Sequence, residues 1–434
     1  RVDASVYRPK PGEIKDERVA IIGGGPAGLT AAHSLSLLGY RVTIFEAGDR
    51  LGGMLTCTLP AYRLPSHIVR EEVESLLNEN IHIEYNRALG RDMTIDDVLR
   101  TGFKAVFIAT GAHESWRLDL DNEDVDGVYP SIDFLKKSKM EGVELARGHV
   151  GVIGGGNSAV DAARVALRQK DVTGVSLLYR RTRDEMPAYE EEIEAALEEG
   201  VRIETLISPV KIKVRQEEIE TAIKEGVELH TLVSPVRIYT EEGRLVGIEC
   251  MRNRLGEVDA TGRRKPVEIP GSGFSLALDT LIVAIGERPD SRAFASMGLK
   301  VDGNGRIKVN PRTLETNLEG VFAGGDLVTG PNTVIDAIAA GKKVAGVIDR
   351  YLQGRQVEAP LQATLPSVFI PPAMVDDSEA GFTGRAVPPA VAPEKRIKNF
   401  IEVEMALPED EAQHEARRCL RCDLAFTSEA SADQ

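Results

Sequence analysis

Glycines at two places in this sequence, each between an apolar run and a helical pattern, have the types and spacing to bind a ligand. After the apolar run at residues 19–22, Gly23, Gly25 and Gly28 follow in the spacing GxGxxG. The first glycine permits a tight turn, the second leaves room for a pyrophosphate, and the third lets a helix pack closely on the strand. Glu46 ends the next predicted strand, where it can accept a hydrogen bond from a ribose hydroxyl. The stretch therefore predicts a dinucleotide-binding unit.

The same order of strand, glycines and helix recurs at residues 149–167. Gly154, Gly156 and Ala159 occupy the three fingerprint positions of this second unit. The strand after it lacks the ribose-binding acid and ends instead in a basic run that contains Arg180, Arg181 and Arg183. Guanidinium groups can pair with a 2′-phosphate, so this unit is predicted to bind NADP(H). The alternative is an arginine run on the solvated edge of a sheet.

A third junction between a predicted strand and a predicted helix lies at residues 320–345. Asp326 follows a predicted strand, and a helix is predicted to begin near Thr333. An acid at a strand end can hold a sugar-like chain, and a helix N-terminus can stabilise electron density on a ring. We expect this junction to complete the first site.

Composition limits the class of protein. The chain has 434 residues, a length typical of two or three domains, and 42% of them are hydrophobic, which is enough to form the hydrophobic cores of those domains. The formal net charge of -15 disfavours nucleic acid as a partner. No apolar run approaches the roughly 18 residues of a membrane span. Four cysteines in a chain of this length do not form a disulfide framework. These features predict a cytoplasmic protein with no membrane span.

An internal repeat lies between the second unit and the third junction. Residues 191–212 recur as residues 217–238, with 14 of 22 positions identical. Each copy predicts a helix that ends at a glycine, followed by a strand interrupted by Ser-Pro. Because a solenoid needs about three repeats, we expect a local tandem duplication whose extra copy lies on the surface.

On these motifs, the sequence resembles the flavin subunit family that includes the small subunit of glutamate synthase, over about residues 17–355. Related flavin domains occur in NAD(P)H:ferredoxin-type oxidoreductases. The resemblance implies FAD at the first unit and NADP(H) or NAD(H) at the second. The implied FAD-binding residues are Gly23, Gly25, Pro26, Ala27, Gly28, Glu46, Gly53, Gly111, Gly325, Asp326, Thr333 and Val334. The implied NAD(P)H-binding residues are Gly154, Gly156, Asn157, Ser158, Ala159, Arg180, Arg181, Arg183 and Gly286.

The fold class expected from the resemblance is α/β, with two Rossmann-like dinucleotide-binding domains and the NAD(P)H domain inserted into the FAD domain. We predict an N-terminal extension at 1–16, FAD-binding segments at 17–113 and 287–355, an NAD(P)H-binding domain at 114–286, and a proline-rich linker with a terminal helix at 356–434. Cys57 and Thr58 depart from the residues usual in the family's flavin loop.

The leading functional hypothesis is an FAD-dependent oxidoreductase subunit that passes electrons between NAD(P)H and an iron-sulfur or other catalytic partner subunit. No side chain is expected to act as a nucleophile, because the cofactors carry the chemistry. Cys419 and Cys422 have the spacing of two ligands of a [4Fe-4S] cluster, which needs four, so a cluster would be shared with a partner. A cysteine pair without metal is the alternative reading.

Three other functions remain open at this stage. The chain could be a standalone NAD(P)H-dependent disulfide reductase, the glutamate synthase small subunit proper, or a flavoprotein that only scaffolds a complex. A disulfide reductase needs a redox cysteine pair at the flavin, and Cys57 has no CxxC companion. A scaffold would have no use for an intact second fingerprint.

Overall fold

The computed structural model describes residues 9–182, 186–199, 201–204, 232–258, 263–290, 292–356, 386 and 388–417. The strands, in chain order, are β1 (Arg18–Ile22), β2 (Arg41–Phe45), β3 (Ile81–Glu84), β4 (Phe103–Ile108), β5 (Glu114–Ser115), β6 (Val128–Pro130), β7 (Gly148–Ile153), β8 (Val172–Leu178), β9 (Arg202–Glu204), β10 (Val233–Glu241), β11 (Arg244–Val258), β12 (Arg264–Glu268), β13 (Phe274–Ala277), β14 (Thr280–Val283), β15 (Glu287–Arg288) and β16 (Val321–Ala323). The helices are α1 (Pro26–Leu37), α2 (Met54–Cys57), α3 (Ser66–Leu76), α4 (Ile95–Arg100), α5 (Ser131–Glu141), α6 (Asn157–Leu167), α7 (Glu190–Glu198), α8 (Arg292–Ser296), α9 (Asp326–Thr329), α10 (Val334–Leu352), α11 (Pro393–Arg396) and α12 (Glu409–Arg417).

The first sheet has the strand order β16-β4-β1-β2-β3, and all its neighbours are parallel. Its central strand β1 is buried from Val19 to Ile22, as expected for a parallel strand covered on both faces. On one face, α1 and α10 contribute Leu35, Val344 and Ile348 to the core. On the other face, α4 and the residues that follow α8 form a second apolar layer. This packing fixes the carboxyl end of β1, where the first glycine cluster lies.

The second sheet has the strand order β6-β14-β7-β8-β9 and is also parallel. Helix α6 packs on it through small and branched residues, including Ala159, Ala163 and Ala166, which have no exposed surface. Strands β10, β11, β12 and β13 form a separate antiparallel sheet that packs beside β14 through Ile248 and Leu281. The second glycine cluster therefore lies at the carboxyl end of β7.

A short antiparallel ribbon of β5 and β15 joins the two parallel sheets. The chain leaves the first sheet after β4, passes through β5, builds the second sheet, and returns through β15 to supply β16. Strands of the first sheet thus come from both sides of the segment that builds the second. The domain limits at 113/114 and 286/287 fall at this ribbon and remain our proposal.

The two copies of the sequence repeat contribute to different sheets. Helix α7 and strand β9, from the first copy, belong to the parallel sheet, whereas Ser234 and Pro235 of the second copy lie in β10 of the antiparallel sheet. Residues 205–231, which hold the rest of both copies, lie outside the described residues, and so does the predicted surface position of the extra copy. Across the described ranges, no helix combines the length and apolarity needed to cross a bilayer.

Candidate functional site

Gly23, Gly25 and Gly28 form a concave turn, here called the first cradle, and each position requires glycine for a different steric reason. Gly23 has a φ of 104°, and a Cβ there would lie 2.5 Å from the carbonyl oxygen of Ala109. A Cβ on Gly28 would overlap the carbonyl oxygen of Gly23. At Gly25, by contrast, the nearest atom to a Cβ would be the Cα of Gly53, 3.9 Å away. Backbone atoms thus occupy the space beside the two outer glycines, whereas the space beside the middle glycine is open and fits a pyrophosphate.

The helix that follows this cradle begins without a side-chain cap. Gly25 is the N-cap of α1, Pro26 is its first residue, and no side chain accepts from the amides of the first turn. Helix α4 differs, because Thr94 and Asp97 form a reciprocal capping box there. Uncapped amides at the positive end of a helix are available to an anionic ligand. Ala27, in the same turn, is buried.

Glu46 lies at the cradle, where sequence analysis expected it. Its Oε2 accepts a 2.8 Å hydrogen bond from the amide of Gly24, and its Oε1 accepts one of 2.8 Å from the amide of Gly48. A carboxylate has about four acceptor sites, so capacity remains for a ribose hydroxyl. Gly53, with a φ of 55°, has its Cα close to Gly25, and a Cβ there would lie 2.9 Å from the Cα of Gly25. The loop after β2 therefore forms one wall of the cradle.

The third junction reaches the same cradle from the far end of the chain. Gly325 has a φ of 68°, and a Cβ there would lie 3.2 Å from the Cβ of Ala27. Asp326 begins the short helix α9, and burial raises its pKa to about 6. Thr333 caps α10 by accepting from the amide of Asp336 at 3.2 Å.

Val334 and Gly111 complete the set of residues predicted to bind FAD. Val334 is the first residue of α10 and is 40% exposed, so its side chain is accessible to a ligand. Gly111 follows β4 with a φ of 74°, which suits glycine at the turn out of the first sheet.

The second cradle repeats the geometry of the first. Gly154 has a φ of 149°, and a Cβ there would overlap the carbonyl oxygen of Ala284. Ala159, in the third fingerprint position, has no exposed surface, so its methyl group fits without a gap. The nearest atom to a Cβ on Gly156 would be Cγ of Pro187, 3.9 Å away, and α6 has no side-chain cap. This cradle also has room for a pyrophosphate.

The other residues predicted for the second site have structural partners around this turn. Asn157 Oδ1 accepts from the amide of Tyr189 at 3.0 Å, which ties the start of α7 to the start of α6. Burial raises the pKa of the Glu287 carboxyl, and Ser158, in the first turn of α6, opposes that rise. Gly286 has a φ of 121°, and its carbonyl accepts from the amide of Trp116 at 2.9 Å.

The arginines at the end of β8 differ in their surroundings. Arg180 is exposed, and its carbonyl accepts from Nδ2 of Asn253 at 3.3 Å. Arg181 is only 4% exposed, and its Nε donates to the carbonyl of Arg264 at 2.7 Å. Arg183 lies outside the described residues. Of the two arginines described, Arg180 is therefore the better candidate to contact a 2′-phosphate, and Arg181 holds neighbouring backbone.

Two residues at the boundary between the sheets were missed by sequence analysis. Lys139, on α5, donates to the carbonyls of Leu55 and Leu59 at 2.8 and 2.6 Å, so it fixes the loop after Gly53 to the second sheet. Burial lowers the pKa of Lys139 to about 8. Glu287 begins β15 of the ribbon, directly after Gly286, and burial raises its pKa. Neither position carries a local sequence signal.

A buried cluster also joins the first sheet's loops to α6 and α7. Asp161 of α6 accepts from Nη1 of Arg63 at 2.9 Å and from the hydroxyl of Tyr62 at 3.3 Å. Arg63 also pairs with Glu192 of α7 at 2.8 Å. Val403, from the C-terminal segment, donates its amide to the carbonyl of Tyr62 at 2.9 Å. Side chains outside the two cradles thus connect a loop of the first sheet to the helices α6 and α7.

The cysteines that the structure describes form no disulfide. Cys57 is half-buried at the end of α2, and burial raises its pKa. Cys250 is buried in β11, where burial raises its pKa to about 12. Among the described residues, no group of three or more His, Cys, Asp or Glu side chains could hold a metal ion. Cys419 and Cys422 lie outside the described residues, and their role in a cluster stays a prediction.

Comparison with known proteins gives close relatives in sequence. The chain is 40% identical over 413 residues to the NADP(+)-dependent formate dehydrogenase subunit beta of Moorella thermoacetica, covering 94% of this chain and 54% of that protein. It is 35% identical over 455 residues to the NADPH-Fe(3+) oxidoreductase subunit beta of Geobacter sulfurreducens, covering 96% and 63%. It is 32% identical to the NADPH glutamate synthase small chain of Escherichia coli, covering 80% and 71%. The chain thus spans only about half to two thirds of its first two relatives.

Solved structures share the fold at low identity. The Mycobacterium tuberculosis oxidoreductase FprA superposes with a TM-score of 0.64 and 19% identity, covering 78% of this chain and 85% of that one. Thioredoxin reductase of Lactococcus lactis superposes with a TM-score of 0.53 and 21% identity, covering 78% and 100%. These matches confirm the predicted α/β class.

Residues 17–341 match the model of one protein family. The predicted resemblance to the glutamate synthase small subunit is confirmed by the sequence match to the small chain of Escherichia coli. The chain belongs to the pyridine nucleotide-disulphide oxidoreductase family.

Proposed function

We propose that this chain is an FAD-dependent NAD(P)H oxidoreductase and that it serves as the electron-transfer subunit of a larger redox complex. The observation that carries the proposal is the pair of open cradles, at Gly25 and at Gly156, connected by the β5–β15 ribbon. Each cradle has the steric form that a dinucleotide pyrophosphate requires. Family membership supplies the oxidoreductase class.

The residues of the first cradle would hold FAD. The amides at the start of α1 would face the pyrophosphate, and Glu46 would accept from the ribose of the adenosine half. Asp326 would bind the sugar-like chain, and the N-terminus of α10 after Thr333 would lie near the ring. The backbone at Gly53 and Gly325 would line the walls, because a side chain at either position would enter the cradle.

The residues of the second cradle would hold NAD(P)H in the same manner. Amides of Asn157 and Ser158 would face the pyrophosphate, and Arg180 would lie near the 2′ position of the ribose. With both cofactors bound, NAD(P)H would supply a hydride and the flavin would accept it. The protein's contribution is position and electrostatics, since no side chain needs to form a bond to either cofactor. The network around Asp161 would help to hold the two sites at a constant separation.

The partner is proposed from the relatives. The formate dehydrogenase, Fe(3+) oxidoreductase and glutamate synthase relatives bear the names of subunits or chains of larger enzymes. We infer that this chain likewise passes electrons to a partner with an iron-sulfur or other redox centre. Cys419 and Cys422 would supply two ligands of a cluster shared with that partner. A standalone disulfide reductase is less well supported, because the described cysteines, Cys57 and Cys250, lie in different parts of the fold.

Anaerobic reduction tests the function directly. We expect the purified chain to retain FAD with little iron, and to lose its flavin absorbance when NADPH or NADH is added without oxygen. The reason is that both nucleotides' binding sites lie in this chain, whereas a complete cluster needs ligands from elsewhere. The measurement is the visible spectrum, with flavin and iron contents from the same sample. A flavin-loaded protein that neither nucleotide reduces would contradict the proposal.

Nucleotide choice should depend on Arg180. Changing Arg180 to alanine is expected to raise the KM for NADPH by about 10-fold or more, because a charge-assisted hydrogen bond to phosphate contributes ~1.5–3 kcal/mol. The KM for NADH should change little, since a hydroxyl gains little from a guanidinium. Steady-state kinetics with both nucleotides measures the difference. Equal changes in both KM values would show that Arg180 does not read the 2′-phosphate.

A further inference from the structure

The end of β8 marks where the adenosine ribose of the second dinucleotide would lie. In both cradles, the amide of the first glycine donates to the last residue of the neighbouring strand, at 2.8 Å from Gly23 and at 3.0 Å from Gly154. The residue that follows that strand is Glu46 in the first cradle and Tyr179 in the second. The ring of Tyr179 lies against Gly155, because a Cβ there would be 2.6 Å from it. Since this position is next to the ribose 2′ group in dinucleotide-binding units, the residues after Tyr179 would lie near that group.

The antiparallel sheet packs against the same residues, strand by strand. The carbonyl of Tyr179 accepts from the amide of the first residue of β10 at 3.4 Å. The carbonyl of Arg180 accepts from Nδ2 of Asn253, on β11, at 3.3 Å. Nε of Arg181 donates to the carbonyl of Arg264, the first residue of β12, at 2.7 Å. Three consecutive residues thus contact three neighbouring strands in turn, which places the start of β12 beside the end of β8.

Arg264 points to the face of the sheet that is turned towards Arg180. Asn253, whose side chain reaches the Arg180 carbonyl, pairs with Glu268 of β12. Opposite residues of an antiparallel ladder share a face and side chains alternate along a strand, so every second residue from Glu268 back to Arg264 points to that face. The register shift along this pair adds its extra residue to β11, which keeps the alternation along β12. Lys265 points to the opposite face.

The charges at this junction suit a phosphate. Arg180 and Arg264 are both exposed, whereas Arg181 is buried. A phosphate monoester carries close to two negative charges at pH 7, and guanidinium groups bind it with paired, charge-assisted hydrogen bonds. The chain as a whole has a formal net charge of -15, so an anionic group depends on local cations to bind.

We propose that Arg264 is a specificity-determining residue whose guanidinium binds the 2′-phosphate of NADP(H) together with that of Arg180. This inference rests on the proposed function and adds to it a residue from a different sheet. Arg264 lies 83 positions after Arg181 in the chain, and the hydrogen bond between them would fix the point from which the Arg264 side chain reaches the phosphate. Arg181 would therefore act indirectly, by holding β12 in place.

The test compares two nucleotides that differ only in the 2′-phosphate. Dissociation constants of NADP+ and NAD+ are measured by isothermal titration calorimetry with the FAD-loaded protein. Arg264→Ala should weaken NADP+ binding by about 10-fold, as expected for the loss of a charge-assisted hydrogen bond, and should leave the affinity for NAD+ unchanged. Arg264→Lys, which keeps the charge but not the paired donors, should restore part of the loss. Both variants retain the backbone carbonyl that accepts from Arg181.

Lys265→Ala is the matched control, because it removes the same charge from the adjacent exposed residue, whose side chain points to the opposite face. It should leave both dissociation constants unchanged. Weakening of NADP+ binding as large as in Arg264→Ala would show a general attraction of charge and would overturn the inference. Equal weakening of both nucleotides in Arg264→Ala, or no weakening of either, would overturn it too and leave the proposed function intact. A wild-type protein that retains FAD but binds neither nucleotide would instead overturn the proposed function.

Discussion

Replacing Gly28 by alanine is expected to weaken FAD binding by about 10- to 100-fold, which corresponds to ~1.4–2.8 kcal/mol. The added Cβ would overlap the carbonyl oxygen of Gly23 and would lie 3.1 Å from Cγ2 of Ile21. The Gly23 oxygen belongs to the backbone and Ile21 has no exposed surface, so neither contact can be relieved by moving a flexible side chain. Helix α1 must then shift away from β1, and its first-turn amides move with it. The FAD-to-protein ratio after gel filtration, and a dissociation constant from flavin titration of the apoprotein, measure the effect.

Gly346→Ala provides the control for this substitution. Gly346 lies within α10, and no atom approaches within 4 Å of a Cβ placed there. Alanine in a helix interior is favoured over glycine by roughly 0.8–1 kcal/mol, so this variant should be slightly more stable and should retain FAD. If Gly28→Ala kept full FAD affinity, the close packing of helix on strand would not be what shapes the cradle.

Replacing Glu199 by glutamine is expected to lower the free energy of unfolding by about 3–5 kcal/mol. The Glu199 side chain has no exposed surface, and its carboxylate pairs with Arg164 at 2.6 Å, Arg168 at 2.5 Å and Arg396 at 3.0 Å. Burial opposes its ionisation, but hydrogen bonds from Arg168 and Arg164 outweigh that cost and lower its pKa. Glutamine would leave these buried guanidinium groups without a counter-charge. Urea denaturation followed by circular dichroism measures the loss.

The neighbouring Glu198 gives a control on the same helix end. Its side chain is 60% exposed and pairs with Arg396 at 2.7 Å. Water screens the exposed Glu198 carboxylate, and Arg396, whose side chain is only 4% exposed, keeps Glu199 as its counter-charge, so Glu198→Gln should cost only about 1 kcal/mol. Similar losses in the two variants would mean that the buried cluster stabilises the protein no more than a surface pair does.

The Glu199 cluster also explains why the C-terminal segment packs against the second sheet. Arg168 donates to the carbonyl of Asn399 at 3.0 Å, and Tyr62 stacks on Phe400 with ring centroids 6.5 Å apart. The guanidinium of Arg168 also lies over the Tyr62 ring, 4.2 Å from its centroid. One set of side chains thus joins the loop after Gly53, helix α6 and the segment after the proline-rich linker. We expect Glu199→Gln to loosen all three together.

Both cradles could be predicted from the sequence because their signals are local. A strand, a glycine turn and a helix occupy fewer than thirty consecutive residues, so the order and spacing of these residues can be recognised without knowledge of the rest of the fold. The carbonyl that excludes a side chain at Gly28 is that of Gly23 in the same stretch, whereas the carbonyls that exclude one at Gly23 and Gly154 belong to the distant residues Ala109 and Ala284. Glu46 likewise lies against Gly24, as its spacing predicted. The α/β class followed from the order of these units, and the matched family agrees.

Residues whose roles depend on distant contacts had no such signal. The hydrogen bond from Arg168 to Asn399 joins residues 231 positions apart, and the bond from Arg63 to Asp161 joins residues 98 apart. Glu287 follows an ordinary strand in sequence, and only the tertiary structure pairs it with Ser115 in the β5–β15 ribbon. Arg180 and Arg181 are adjacent and chemically identical, yet the antiparallel sheet buries only Arg181, through the carbonyl of Arg264. The local order of strand, glycines and helix thus predicted the two cradles from the sequence, whereas burial and long-range pairing, which exist only after the chain has packed, decided which side chains surround them.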